Sequence, residues 1–289
     1  MPQLDPAIMK ATTALGHQVL GDRDDIASVS VFGQTTKHLV MKAHDHAGRA
    51  LCLKIAFAAV DTSTDTTSGP SVELEAMRLI GPDAYWAPTL IDAQENGDWI
   101  LRTWVGEGTA NQIKRTDWTK QMLDQLWTVF ADAFATFHGA ETPYLIRDIK
   151  PTNVSYDAKG FYLFDFNTAK PLPLVQKTKV IPRLGNLSNR YTPPEALGGD
   201  FTDIDLRADY FAFASVFHRF ATGLSEAVWT NAHIDQHLAD TQYKAEYLAL
   251  KSDYAAALRD LGYSTAQSDF LIACLNPTAA ERPSSFQRL

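Results

Sequence analysis

Short apolar runs with strand-like spacing dominate the first hundred residues, and apolar positions three and four apart dominate the remainder. Ser28–Phe32, Leu39–Ala43 and Ala50–Ala56 alternate or cluster apolar residues and predict three strands. The last two are joined by His44-Asp45-His46-Ala47-Gly48-Arg49, whose composition predicts a hairpin turn. Its two histidines have no further His, Cys or carboxylate cluster at a metal-binding spacing, so an exposed hairpin tip is the reading. Asp61–Ser71 is small and polar, can bury little surface, and predicts a mobile loop. A helix starts near Ser71, with that serine as its N-cap. Trp99-Ile100-Leu101 and Trp104-Val105 predict a buried strand closed by Gly106-Glu107-Gly108.

From Asp117 onward Met122, Leu123, Leu126, Trp127, Phe130, Phe134 and Phe137 trace one wide apolar helix face, which belongs in a core. Further buried helices are predicted over about Leu206–Ala221 and Ser268–Leu275. The asymmetry implies an α+β chain in two lobes: residues 1–105, a small β-rich lobe with one helix, and residues 106–289, a larger helical one.

Composition narrows the function classes. At 289 residues and 45% hydrophobic content the chain can build a real core, which excludes a disordered tail. Its 26 basic against 34 acidic residues give a net charge of -8, which argues against nucleic acid or an anionic membrane as partner. Cys52 and Cys274 are too few for a disulfide framework or a four-ligand zinc site, and read as buried thiols in a reducing compartment. The N-terminus lacks the pattern of a signal peptide, and no run approaches the roughly 20 apolar residues of a membrane span. The expectation is a soluble, cytoplasmic protein.

The chemistry concentrates in Ile146-Arg147-Asp148-Ile149-Lys150-Pro151-Thr152-Asn153-Val154, followed by the apolar strand Phe161–Phe164 and Asp165-Phe166-Asn167. These place three oxygen-bearing side chains and an ammonium on one loop and one strand end. Here the sequence resembles the protein kinase family, with its H-R-D catalytic loop closed by an Asn and its metal-binding D-F-G. Phosphoryl transfer needs a carboxylate near the acceptor hydroxyl and oxygen ligands that hold Mg²⁺ at about 2.1 Å. The resemblance implies a bilobal protein-kinase-like fold, ATP and Mg²⁺ as cofactors, and a protein substrate. Asp148 is then the catalytic base, Lys150 neutralises charge on the γ-phosphate, and Asn153 and Asp165 hold Mg²⁺.

The same resemblance runs in both directions. Leu51-Cys52-Leu53-Lys54-Ile55 is similar to the third-strand lysine motif, which puts Lys54 on the phosphates with a carboxylate of the next helix as partner. Glu75 is the preferred partner, with Leu79 one turn further along its face, and Glu73 the fallback. Thr103 and Val105 occupy the hinge positions whose backbone meets adenine. Downstream, Leu187–Glu195 resembles the end of an activation segment, with Ser188 and Tyr191 at its Thr and Tyr positions. Arg147 raises the possibility that a phosphate at Thr168, Thr178 or Ser188 orders that segment. Asp209 resembles the aspartate that hydrogen-bonds the catalytic-loop backbone, and Arg282 the arginine that pairs with Glu195.

Three positions depart from the family pattern. With Gly33 as first glycine and Val40 as closing valine, Thr35 and His38 stand where two further glycines belong. Asn167 replaces the glycine of D-F-G, where asparagine tolerates a left-handed backbone. Ile146 replaces the histidine of H-R-D. The leading reading is a Ser/Thr-type protein kinase. Its alternatives are a pseudokinase that serves as nucleotide-binding or interaction scaffold, and a kinase of a small metabolite.

Overall fold

The computed structural model describes residues 6–21, 23–34, 38–56, 69–177, 191–197, 203–223 and 240–289. The polar stretch predicted as a mobile loop therefore lies almost wholly outside the described residues, as do Thr35, Thr178 and Ser188. The chain groups into two compact units, Met1–Val105 with Asp165–Thr168, and Gly106–Phe164 with Ala169–Leu289.

The first unit is built on an antiparallel sheet of β1 (Ile26–Gln34), β2 (His38–Asp45), β3 (Ala50–Ala56), β4 (Leu90–Ala93) and β5 (Trp99–Thr103), in the order β1-β2-β3-β5-β4. The three predicted strands form; β1 and β2 extend beyond the apolar runs that mark them, and β3 has the predicted bounds. At the β2–β3 turn Asp45 is nearly buried and accepts from the Arg49 backbone N–H at 2.7 Å and from its Nε at 3.0 Å. Gly48 supplies the left-handed residue of that turn at φ 79°.

Strand alternation sorts the sheet into two faces. Leu39, Met41, Ala43, Leu51, Leu53, Ile55 and Leu101 share one buried cluster with Leu20 of α1 (Pro6–Leu20). This helix carries no signal in the sequence reading. It lies so close to the sheet that a Cβ on Gly16 would meet the Met41 side chain at 2.6 Å. The opposite face presents Cys52, Lys54, Ile100 and Arg102, and there Ile100 packs with Leu74 and Met77 of α2 (Pro70–Ile80).

Helix α2 starts one residue before the predicted serine cap. Pro70 takes the first helical position, where its missing N–H costs nothing, and Gly69 precedes it at φ 149°. Ser71 is thereby inside the helix and exposed. The strand predicted through Val105 ends at Thr103, although the Trp104 N–H still donates to the Ala50 carbonyl at 3.0 Å.

In the second unit the predicted helices appear as α3 (Lys120–His138), α6 (Arg207–Thr222) and α8 (Thr265–Cys274). Between α3 and α6 in sequence lie the short α4 (Leu172–Lys177) and α5 (Pro194–Leu197), and α7 (Asp240–Asp260) precedes α8. Thr119 caps α3 by accepting the Met122 N–H, so this helix begins three residues after the predicted Asp117. Its apolar stripe meets the stripe of α6: Phe130 and Phe213 lie 5.0 Å apart between ring centroids, and Trp127 and Phe217 lie 5.6 Å apart. Among the described residues no helix is long and apolar enough to cross a membrane.

His218 on α6 is a buried titratable group in this core, edge-on to Tyr254 at 4.6 Å, with no hydrogen-bond partner for Nδ1 among the described residues. Burial pushes its pKa down from 6.5 to about 4. A base depressed in the fold stabilises fully above its unfolded value and loses that contribution as pH falls toward the folded one. Stability is therefore expected to drop by about 3 kcal/mol between pH 6.5 and 4 through this residue. Urea titrations across that range should show a shallower pH dependence for His218→Phe than for the wild type.

Candidate active site

In the first unit, strand geometry puts Lys54 and Arg102 on the face that meets α2. Cys52 is the cross-strand partner of Arg102, and Lys54 lies two residues beyond Cys52 on the same face. Glu73 enters from α2, and Asp165 follows the strand of the D-F-N segment. Lys54 Nζ lies 2.6 Å from Glu73 Oε2 and 2.5 Å from Asp165 Oδ1, while Arg102 Nε lies 3.1 Å from Glu73 Oε1. Lys54, Arg102 and Glu73 are buried and Asp165 is partly exposed, and the four charges alternate in sign along these contacts.

The sequence-based preference for Glu75 is corrected here. Helix faces repeat at three and four residues, and Glu73 shares its face with the buried Ala76, Met77 and Ile80. Glu75 falls with Ser71 and Arg78 on the exposed side. Pro70 fixes where the helix starts and thereby which glutamate faces the sheet.

Electrostatics in this cluster follow from burial set against opposite charge. Burial alone would lower the Lys54 pKa, but Asp165 and Glu73 outweigh it and hold the ammonium above its ordinary range. Burial would raise Asp165, yet Lys54 beside it keeps the carboxyl below its usual value. Both groups are charged at neutral pH. Asp165 also adopts φ 67°, a left-handed backbone that a non-glycine residue takes at some cost. That corrects the expectation for Asn167: the left-handed residue of the segment is Asp165. Asn167 contributes its carbonyl, which accepts the Gly69 N–H at 3.1 Å and ties the segment to the start of α2. Phe166 is buried edge-on to Trp86 at 6.3 Å.

Gly33 and Val40 face each other across β1 and β2, and His38 opens β2 as a buried residue opposite Ala56. Thr103 spends its N–H on the Thr89 carbonyl at 2.9 Å, and its hydroxyl accepts the Thr89 N–H at 2.8 Å. Val105, half-buried, is the last residue of the unit before Asp165 rejoins it.

In the second unit the loop from Ile146 to Asn153 hangs from one carboxylate. Asp209 Oδ2 accepts the Ile146 N–H at 2.8 Å and Oδ1 accepts the Arg147 N–H at 3.0 Å; Oδ2 also lies 3.0 Å from His138 Nε2. Asp209 is 1% exposed, and Arg147 takes φ 73°, so the loop turns sharply over a buried anchor. Burial pulls the Arg147 guanidinium below its ordinary pKa despite Asp209 and Asp148 nearby.

The turn delivers Asp148 to a defined geometry. Its Oδ2 accepts from Lys150 Nζ at 2.5 Å and from Asn153 Nδ2 at 3.1 Å, and Asn153 Nδ2 also donates to the Asp148 carbonyl at 2.9 Å. Pro151–Asn153 forms a single 3₁₀ turn that leads into β6 (Val154–Asp157). The Phe164 N–H donates to the Asn153 carbonyl at 3.1 Å at the open end of the hairpin that β6 makes with β7 (Gly160–Leu163). With both Asn153 amide bonds spent on Asp148, its side-chain oxygen is the atom left for a cation.

Further down the unit Arg282 reaches Glu195 at 2.6 and 2.8 Å through two guanidinium nitrogens, the ion pair expected from the sequence. Tyr191 is buried and its hydroxyl accepts from Arg219 at 2.6 Å.

No family model matches the chain. The probable serine/threonine-protein kinase PBL8 of Arabidopsis thaliana is 30% identical over 127 residues, 43% of this chain. The chain spans 29% of the length of that curated relative. Among solved structures, the kinase PK-1 of Cydia pomonella granulovirus aligns with a TM-score of 0.61 over 96% of each chain, at 14% identity. The chain has the protein-kinase fold.

A likeness to protein kinases is thus found in sequence over part of the chain and in fold over nearly all of it. Within the kinase fold, sequence reasoning overlooked two side chains. Arg102 is a charged residue in an apolar strand, and its two-residue offset from Ile100 was the signal that it points to the same face as Lys54. His138 closes α3 against Asp209, stacked on Phe134 at 4.8 Å, and only the tertiary pairing reveals it.

Proposed function

We propose that this chain transfers the γ-phosphoryl group of ATP to serine or threonine hydroxyls of protein substrates. The observation that carries the reading is the Asp148 carboxylate, with one oxygen engaged by Lys150 and Asn153 and the two residues before it, Ile146 and Arg147, held through their N–H groups by Asp209. A carboxylate held in this way keeps its second oxygen for the proton of an acceptor hydroxyl, the task of a general base in phosphoryl transfer. Lys150 stands beside it as the cation for charge on the transferring group. Lys54 supplies an ammonium for the other phosphates, oriented by Glu73.

Asn153 offers an amide oxygen and Asp165 an ionised carboxylate, and each by itself is a hard donor of the kind that Mg²⁺ prefers. When bound, Mg²⁺ neutralises charge on the phosphates. Thr103 and Val105 remain the backbone positions for adenine, with the Thr103 N–H already committed to the sheet. Gly33 opposite Val40 marks the strand pair that covers the phosphates.

Calorimetric titration with ATP, with and without Mg²⁺, tests the reading. Wild-type protein should bind ATP more tightly with Mg²⁺, and Asp165→Asn should lose most of that gain. No ATP binding in either condition would contradict the reading and favour an interaction scaffold, which the His38 and Thr35 replacements in the glycine-loop pattern would then explain.

A further inference from the structure

We infer that Arg102 is a positioning residue that gives the Lys54–Glu73 pair the surplus positive charge with which it holds a second anion. Each oxygen of Glu73 faces its own cation: Oε2 lies 2.6 Å from Lys54 Nζ, and Oε1 lies 3.1 Å from Arg102 Nε. The Arg102 contact is an ion pair without an aligned hydrogen bond, so its contribution is charge more than direction. Lys54 with Glu73 alone sums to zero. With Arg102 the buried trio sums to +1, and in this structure that surplus is met by Asp165 at 2.5 Å from Lys54.

Buried charge is balanced locally, because the interior screens it poorly. A neutral Lys54–Glu73 pair draws in another anion only through the remaining donors of its ammonium. A trio of charge +1 adds a net attraction, whether the anion is Asp165 or, on the reading above, a phosphate oxygen of a nucleotide. Arg102 acts through Glu73 and need not touch the nucleotide. The phosphate half of this inference rests on the proposed function, and the Asp165 half does not.

The experiment has two arms, each run on wild type, Arg102→Met, Arg102→Lys and, should the methionine variant fold poorly, Arg102→Gln. Nucleotide-free crystal structures form the first. Loss of the Lys54–Asp165 contact in the neutral variants, with Lys54–Glu73 kept and both contacts kept in Arg102→Lys, is the expected result. Asp165 still seated on Lys54 in a neutral variant would overturn the inference, even in a protein that binds no ATP.

Titration with ATP and with adenosine is the second arm. Neutral variants should bind ATP about tenfold more weakly or worse, the scale of one unit charge acting over several ångströms at an effective dielectric of about 20. Adenosine affinity should change less than about twofold, and Arg102→Lys should restore ATP binding. Equal losses for ATP and adenosine would mean that Arg102 only supports the fold. Wild-type protein that binds no ATP would instead sink the kinase reading and leave the first arm to decide.

Discussion

Asp148→Asn is expected to cut phosphoryl transfer by about three orders of magnitude while leaving the protein folded. Asparagine keeps the shape of the side chain, and its amide oxygen can still accept from Lys150 or Asn153, whose donors lie 2.5 and 3.1 Å from Asp148 Oδ2. The loop should therefore stay in place. What disappears is the basicity: an amide cannot take the hydroxyl proton as phosphoryl transfer proceeds. The loss should fall on kcat with little change in KM for ATP, because Asp148 is assigned to the acceptor and not to the nucleotide. Steady-state kinetics and a thermal melt on the same preparation separate this from unfolding. A lower melting temperature with proportionate loss of activity would assign Asp148 a structural role.

Asp209→Ala should have the largest effect on stability, about 3–5 kcal/mol. The carboxylate accepts two backbone N–H groups, of Ile146 and Arg147, and faces His138, all from a position 1% exposed. Alanine leaves those donors in a cavity without an acceptor, and each buried orphan costs on the order of 1–3 kcal/mol. It also removes an anion that favours the charged form of Arg147, which burial already disfavours. Asp209→Asn should cost less, since one oxygen remains, although its NH₂ must then face a donor. Denaturant unfolding monitored by tryptophan fluorescence checks the order alanine, asparagine, wild type. Because Arg147 holds a left-handed backbone over this anchor, transfer activity should fall in both variants by more than the unfolded fraction explains.

The strand β2 and the helix α3 were legible because each buries mainly one face, and burial writes a period of two or of three to four into the sequence; β3 and α6 are buried nearly all round and were legible as short apolar runs. Asp148, Lys150, Asn153, Asp165, Asp209 and the Glu195–Arg282 pair could be picked out by their order along the chain. Glu73 was ranked behind Glu75 because Leu79 lies one turn beyond Glu75, yet the helix starts at Pro70, two residues before the start that a Ser71 cap implies, and buries Glu73 with Ala76, Met77 and Ile80. Arg102 escaped notice because its meaning lies in a cross-strand partner: opposite Cys52 it belongs to the Lys54 face, and no local pattern records that pairing. Helix α1 buries Leu20 against the sheet, yet its sequence holds Gly16 and several polar residues and gives no clean stripe. Asp165 and not Asn167 is left-handed, and its carboxylate meets Lys54, 111 positions away; neither fact is written in the local sequence.

The most direct test of the proposed activity is transfer of labelled γ-phosphate from Mg²⁺-ATP to the protein itself and to a mixed protein extract, beside Asp148→Ala, with the labelled residues identified after acid hydrolysis. Label on phosphoserine or phosphothreonine with wild-type protein, absent with Asp148→Ala, is the expected result. Equal label with both proteins, or none with wild type that binds Mg²⁺-ATP, would contradict phosphoryl transfer by Asp148.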